Sequence, residues 1–156
     1  MARDIQSEIK QKKPFQCQEE DLFLNIMRTA DLLQRKGGDL FKAAELSPTQ
    51  YNVLRILRGA GAEGLACGEI GDRMVTRDPD ITRLLDRLEK RGLVKRSREK
   101  DDRRVVTIRI TSAGLDFLKK LDEPVFRLHK AQLGHMETKQ QETLIRLLEL
   151  AREKTG

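Results

Sequence analysis

The stretch DPDITRLLDRLEKRGLVKRSREKDDRRVVTIRIT, residues 78–111, changes its hydrophobic period halfway along. Ile81, Leu84, Leu85 and Leu88 recur at i, i+3, i+4 and i+7, the buried stripe of an amphipathic helix. Asp78 is positioned to cap that helix, Pro79 suits its first turn, and Gly92 closes it. Its other face carries Thr82, Arg83, Asp86, Arg87 and Lys90. Beyond Gly92 the period becomes two. Leu93 to Arg98 forms one strand and Val105 to Ile110 another, with Val106, Ile108 and Ile110 on one side and Val105, Thr107 and Arg109 on the other. Seven consecutive charged side chains, Arg98 to Arg104, fall at the turn between them.

Upstream, GEIGDRM (68–74) has room for a two-turn helix with Ile70 and Met74 facing inward. SPTQ (47–50) reads as a helix start: Ser47 caps, Pro48 takes the first position and Gln50 reaches back to complete a capping box. Tyr51, Val53, Leu54 and Leu57 supply the buried stripe of that helix. Between the two lies GAGAEG (59–64), which matches a dinucleotide fingerprint letter for letter. That fingerprint needs a strand before it and a helix opening on its last glycine, and here the order is reversed, so the segment is read as a turn followed by a short apolar strand at Leu65 to Cys67.

The flanks are helical. Leu22, Phe23, Ile26, Met27, Ala30 and Leu33 recur along a first long helix from about Glu19 to Leu46, weakened at Gly37 and Gly38 and therefore expected to break or bend there. Met1 to Phe15 reads as an arm, with Ile5 and Ile9 allowing one helical turn. After Thr111 a long helix carries Leu115, Leu118, Leu121, Val125 and Leu128, with a kink expected near Pro124. A last helix, about Lys139 to Glu153, holds Leu144, Ile145, Leu147, Leu148 and Leu150.

Charge placement narrows the function. Between Lys90 and Arg109 there are nine basic and three acidic residues, so the formal excess of +6 sits in that segment and the remainder balances. A positive segment of this kind suits a polyanion, although a charge run also serves simply as a solvated face. The two cysteines, Cys17 and Cys67, make no disulfide framework and fit a reducing compartment. No stretch approaches the length needed to span a bilayer and the N-terminus has no apolar signal region, so a soluble cytoplasmic protein with no membrane partner is expected. Two histidines, His129 and His135, stand six apart, a spacing that does not stack ligands on a helix. With no nucleophile–base pairing either, no enzyme, cofactor or metal site is expected.

A short helix, a tight turn, a capped helix and a hairpin with a basic tip together describe a helix-turn-helix with a wing. A helix fits the major groove of DNA, and a thin hairpin can lay its tip along the backbone or in the minor groove. LLDRLEKRGLVKRS followed by DDRRVVTIRITSAG resembles the multiple antibiotic resistance regulator (MarR) family, whose recognition helix ends in Arg-Gly-Leu-Val and whose wing holds Asp-x-Arg before a Leu/Ile-Thr-x-x-Gly segment. The resemblance is specific over roughly residues 47–117. It implies a mainly α fold with a small β-hairpin: a winged helix-turn-helix DNA-binding lobe at 47–111, and a dimerisation lobe built from the arm and first helix (1–46) and the C-terminal helices (112–156).

The implied partners are double-stranded DNA, read at a pseudo-palindromic promoter site, and a second copy of the chain joined through Leu22, Phe23, Ile26, Leu144, Leu147 and Leu148. The alternative for those leucines is core packing within one chain. Thr76, Arg77, Thr82, Arg83 and Arg87 are the candidates for base edges and nearby phosphates, unless the arginines are spent on ion pairs with Asp80, Asp86 or Glu89. In the wing, Asp102 and Arg104 match Asp-x-Arg, with the carboxylate expected to orient the guanidinium for the minor groove. Lys95, Arg96, Arg98 and Arg103 are placed as phosphate contacts.

The chain departs from the family at Asp78 and Asp80, where relatives often carry Ser or Thr. These carboxylates either stabilise the helix start or accept from a cytosine amino group, so no base preference carries over. Relatives are implied to act as repressors released by small phenolic or carboxylate effectors. Others sense peroxide through a cysteine near the first helix, where Cys17 lies, but its neighbours Glu19 and Glu20 disfavour a thiolate. A non-specific architectural DNA-binding protein is the remaining reading.

Overall fold

The computed structural model describes residues 4–98, 102 and 104–154. They form seven helices and one small sheet, divided into two compact units, Met1–Ala44 and Glu45–Gly156.

In the first unit, α1 (Ile5–Glu8) is a single turn capped by Asp4, whose carboxylate accepts the Ser7 N–H at 2.7 Å. That backbone bond lowers the Asp4 pKa below its ordinary value. Ile5 is buried, and Arg28 of α2 approaches Glu8 at 3.4 Å. Helix α2 (Gln18–Ala43) is continuous through Gly37 and Gly38, where a break or bend was expected. Two glycines cost about 2 kcal/mol of helix propensity, which flanking turns on both sides offset. The helix stops three residues short of Leu46, and Glu45 with φ of 53° turns the chain out of it.

In the second unit, α3 (Pro48–Ala60) starts with the capping box read from SPTQ. The Gln50 N–H donates to Ser47 Oγ at 3.1 Å, and the Ser47 N–H donates to Gln50 Oε1 at 2.9 Å. A 3-10 turn (Gly61–Glu63) leads to β1 (Leu65–Ala66), then α4 (Cys67–Arg73). Helix α5 (Ile81–Lys90) and strands β2 (Val94–Arg98) and β3 (Val106–Ile110) follow. The chain ends in α6 (Ser112–Leu133), which runs on through Pro124, and α7 (Thr138–Arg152).

Two sequence expectations need correction here. The cap of α5 is Asp80, not Asp78: its side chain accepts from the Arg83 N–H at 3.3 Å, and the helix starts at Ile81. Asp78 instead accepts the Asp80 N–H at 2.8 Å, closing a local turn. With the Asp78 carboxylate engaged by the Asp80 N–H, it is Asp80 that takes a free N–H of the first helical turn. The hairpin of β2 and β3 is present, but a third strand joins it. The sheet order is β1-β3-β2, all antiparallel, with Leu65 opposite Ile108 and Arg96 opposite Ile108 on the other side. Cys67, read as part of that first strand, is the first residue of α4. Thr107 is buried, with Ala66 of β1 opposite it on one side and Ser97 of β2 on the other.

The core joins Leu54 and Leu57 of α3, Ile70 of α4, Leu85 and Leu88 of α5, Ile108 of β3 and Leu118 of α6, all fully buried. Helix α5 ends in a Schellman motif. Gly92 has φ of 71°, its N–H bonds to the Glu89 carbonyl at 2.8 Å, and the Leu93 N–H bonds to the Leu88 carbonyl at 3.1 Å. The wing therefore leaves the helix at a fixed angle.

Arg58 of α3 makes a two-pronged pair with Asp122 of α6, both bonds 2.9 Å. The Arg58 hydrogen bond holds the Asp122 carboxyl below its ordinary 3.8. With the carboxylate half exposed, the pair is expected to contribute about 1 kcal/mol. A carboxyl whose folded pKa is depressed stabilises above the unfolded value and loses that contribution as the pH falls through the folded one. Asp122→Asn should therefore lower stability at pH 7, and the difference should shrink as the pH falls through the folded value, which denaturant titration at descending pH checks.

Candidate nucleic-acid interface

The outward side of α5 is set by the four residues that cannot be there: Leu84, Leu85 and Leu88 are buried and Ile81 is half-buried. Thr82, Arg83 and Arg87 consequently stand exposed. Arg83 lies 3.5 Å from Asp80 in a largely exposed i, i+3 pair, while Arg87 has no ion pair among the described residues. Thr76 and Arg77 are exposed in the loop between α4 and α5. The preceding Val75 N–H is anchored by Asn52 Oδ1 of α3 at 2.9 Å.

Sequence reading missed the neighbour of this surface. A shallow depression is lined by Ser47, Thr49 and Gln50 at the start of α3, by Asp78 and Asp80, and by Arg83, Leu84 and Arg87 of α5. The capping box signals the unsatisfied N–H groups of a helix start, which favour anions, but not which other segment lies against them.

Strand alternation divides the wing candidates. Val94, Arg96 and Arg98 share one face of β2, and Lys95 with Ser97 takes the other. Lys95 and Arg98 are exposed. Arg96 is not a free basic side chain: its guanidinium donates to Asp86 at 2.5 Å, to Glu89 at 2.9 Å and to the Thr82 carbonyl at 3.3 Å. The Asp86 bond, foremost, raises the Arg96 pKa. Asp86 and Glu89 thus serve β2 rather than the arginines of their own helix. Arg109, on the inner strand β3, donates to the Ala62 carbonyl at 2.9 Å and to Ser97 Oγ at 2.5 Å.

At the tip, Asp102 and Arg104 are exposed, and Arg103 lies outside the described residues. Asp102 Oδ1 accepts the backbone N–H of Arg104 at 2.9 Å, and the Val105 N–H donates to the Asp102 carbonyl at 3.1 Å. The carboxylate was expected to hold the guanidinium directly. It instead shapes the turn from which the Arg104 side chain projects.

The TSAG segment ties the wing to α6. Thr111 Oγ1 donates to the Gly92 carbonyl at 2.6 Å and accepts the Gly114 N–H at 3.1 Å, while the Thr111 N–H bonds to the Leu93 carbonyl at 3.0 Å. One threonine therefore caps α6 and fastens it to the end of α5.

Of the dimerisation candidates, Leu22 is 56% exposed, Phe23 60% and Leu147 57%, Leu144 is exposed, and Ile26 and Leu148 are half-buried. Helix α7 has no buried residue among those described. Cys17 is exposed at the N-cap of α2, and the nearby Glu19 has its pKa lowered by its own backbone N–H first and by the Cys17 side chain second. His129 and His135 are exposed, and no group of three or more His, Cys, Asp or Glu side chains gathers among the described residues. No helix among them is long and apolar enough to cross a membrane.

The capped reading helix, the three-stranded wing and the basic side chains they expose define a winged helix-turn-helix DNA-binding protein. The MarR family model matches residues 46–106. A crystal structure of a MarR transcription factor from Planctomyces limnophilus is 45% identical, covering 88% of this chain and 99% of that one, with a TM-score of 0.67. The Escherichia coli HTH-type transcriptional regulator PrsX is 32% identical over 113 residues, 72% of this chain and 68% of PrsX. PapX of the same organism is 32% identical over 103 residues, and the chain spans 63% of its length. The chain belongs to the MarR family of DNA-binding transcriptional regulators.

Proposed function

We propose that this MarR-family protein is a sequence-specific repressor. It acts in the cytoplasm as a homodimer on a pseudo-palindromic duplex, with half-sites about one helical turn, roughly 10 bp, apart. The observation that carries this reading is the outward row Thr82, Arg83 and Arg87 on α5, free of the core and adjacent to the opening turn of α3. Those three read base edges and adjoining phosphates from the major groove. Thr76, Arg77, Lys95, Arg98 and Arg103 bind phosphates, and Arg104, presented by the Asp102 turn, enters the minor groove.

Pairing is supported by the uncovered leucines of α7 together with Leu22 and Phe23 of α2, because apolar rows of that length seldom face water in a monomer. Residues 1–46 and 112–156 form the pairing lobe, and 47–111 the reading lobe. Leu147→Asp removes no buried contact within the chain, so the variant should fold yet halve the mass measured by sedimentation at micromolar concentration; a dimer that persists contradicts the pairing surface.

Release by a small phenolic or carboxylate effector is carried over from the family resemblance. Selection of duplexes from random sequence, followed by affinity for the enriched duplex and a scrambled one at fixed salt, tests the whole reading. A ratio of a thousand or more is expected, falling when the effector class is added, together with lowered transcription from a promoter bearing the enriched site. A ratio near one leaves an architectural DNA-binding protein instead.

A further inference from the structure

Arg96 has the residue type and position of a phosphate contact, yet its surroundings assign it other work. Its side chain is only 27% exposed. Among the described residues, all its acceptors belong to α5: Asp86, Glu89 and the Thr82 carbonyl. Glu89 uses both oxygens on the same residue, taking the Arg96 backbone N–H at 3.2 Å with one and the guanidinium at 2.9 Å with the other. β2 is an edge strand, and an unpaired N–H on such an edge must find another acceptor. Here a carboxylate on the reading helix takes the place of a fourth strand.

We infer that Arg96 is a positioning residue: with Asp86 and Glu89 it clamps the base of the wing to the reading helix, fixing the spacing at which the two meet DNA. The inference deepens the DNA-reading function proposed above and rests on it. A planar fork with five donors spans three acceptors on successive helical turns, which a lysine ammonium cannot do in one geometry. The clamp also sets the charge of the surface. Asp86 and Glu89 with Arg96 sum to one negative charge; without Arg96 two uncompensated carboxylates would stand beside the phosphate-facing side of α5.

The clamp and a phosphate contact predict opposite signs. If Arg96 reached a phosphate, Asp86 and Glu89 would only repel DNA, and deleting them would tighten binding. If they hold the wing, the Asp86→Ala/Glu89→Ala protein binds the enriched duplex about tenfold more weakly, despite losing two negative charges. Adding Arg96→Ala to it then costs less than a further twofold, because the partners already act as one unit. Arg96→Lys should not restore parental affinity. In the protein without DNA, amides of β2 should exchange faster in Arg96→Ala and in the double variant alike, with dimer mass unchanged.

Should the double alanine variant not fold, Asp86→Asn/Glu89→Gln carries the same sign test. Unchanged or tighter binding on removal of the carboxylates, an equal penalty for Arg96→Ala in both backgrounds, or unaltered β2 exchange would each overturn the clamp. If the parent protein binds no duplex, the DNA-reading function fails, while the exchange measurement still decides whether the clamp exists.

Discussion

Gly114→Ala is expected to destabilise the reading unit by about 3 kcal/mol, although alanine is the better helix former by about 1 kcal/mol. The residue sits in the first turn of α6. A Cβ there would run into the Leu93 carbonyl oxygen and lie 2.6 Å from Ile110 Cγ1. The isoleucine can rotate, but the carbonyl cannot: Leu93 accepts from the Thr111 N–H, and its own N–H closes the Schellman motif of α5. The end of the reading helix, the wing and the start of α6 meet at one point, and only a residue without a side chain leaves room for all three. Urea unfolding gives the sign directly. A lower midpoint is expected, and an equal or higher one would mean that the junction yields.

Arg87→Ala is expected to weaken binding of the enriched duplex ten- to hundredfold, the 1–3 kcal/mol typical of a guanine read through two hydrogen bonds. Arg87 is the stronger of the two helix candidates. Arg83 shares its charge with Asp80 at 3.5 Å, whereas no described carboxylate competes for Arg87. Because the side chain is exposed, melting temperature and dimer mass should not change, so the loss is one of recognition. Arg104→Ala should weaken binding by a smaller factor with the same unchanged stability, since Asp102 shapes the turn through the backbone and not through the arginine side chain. Equal affinity of the Arg87 variant and its parent at matched salt would remove this helix face from the interface.

Much of this architecture was legible because it rests on local rules. The i, i+3, i+4, i+7 stripe from Ile81 to Leu88, the capping box at Ser47 and the period-two run from Val106 to Ile110 each reflect one element burying one face. What could not be read depends on chain segments far apart in sequence. The short strand at Leu65 was legible but its partner was not, since Leu65 pairs with Ile108 and Ala66 with Thr107, far along the chain. The shift of the α5 cap from Asp78 to Asp80 depends on a local turn, in which Asp78 takes the Asp80 N–H and leaves Asp80 to accept from Arg83. The Arg96 clamp was hidden because ion pairs were sought at helical spacing, and this one joins a helix to the strand after it.

The surface candidates were legible as a class, since a basic residue on the polar side of a capped helix is exposed by default. Their ranking was not. Only the structure separates Arg87, which stands clear, from Arg83, held near its cap residue, and from Arg96, held inward.

The central claim is that two copies of the chain grip one duplex, each through α5 and its wing. Sedimentation of the protein on the enriched duplex, repeated across a salt series, tests it most directly. The account predicts two chains per duplex and an affinity that falls steeply as salt rises, by a thousandfold or more between about 50 and 200 mM if six or more phosphates are met. One chain per duplex, or attachment indifferent to salt, would contradict it.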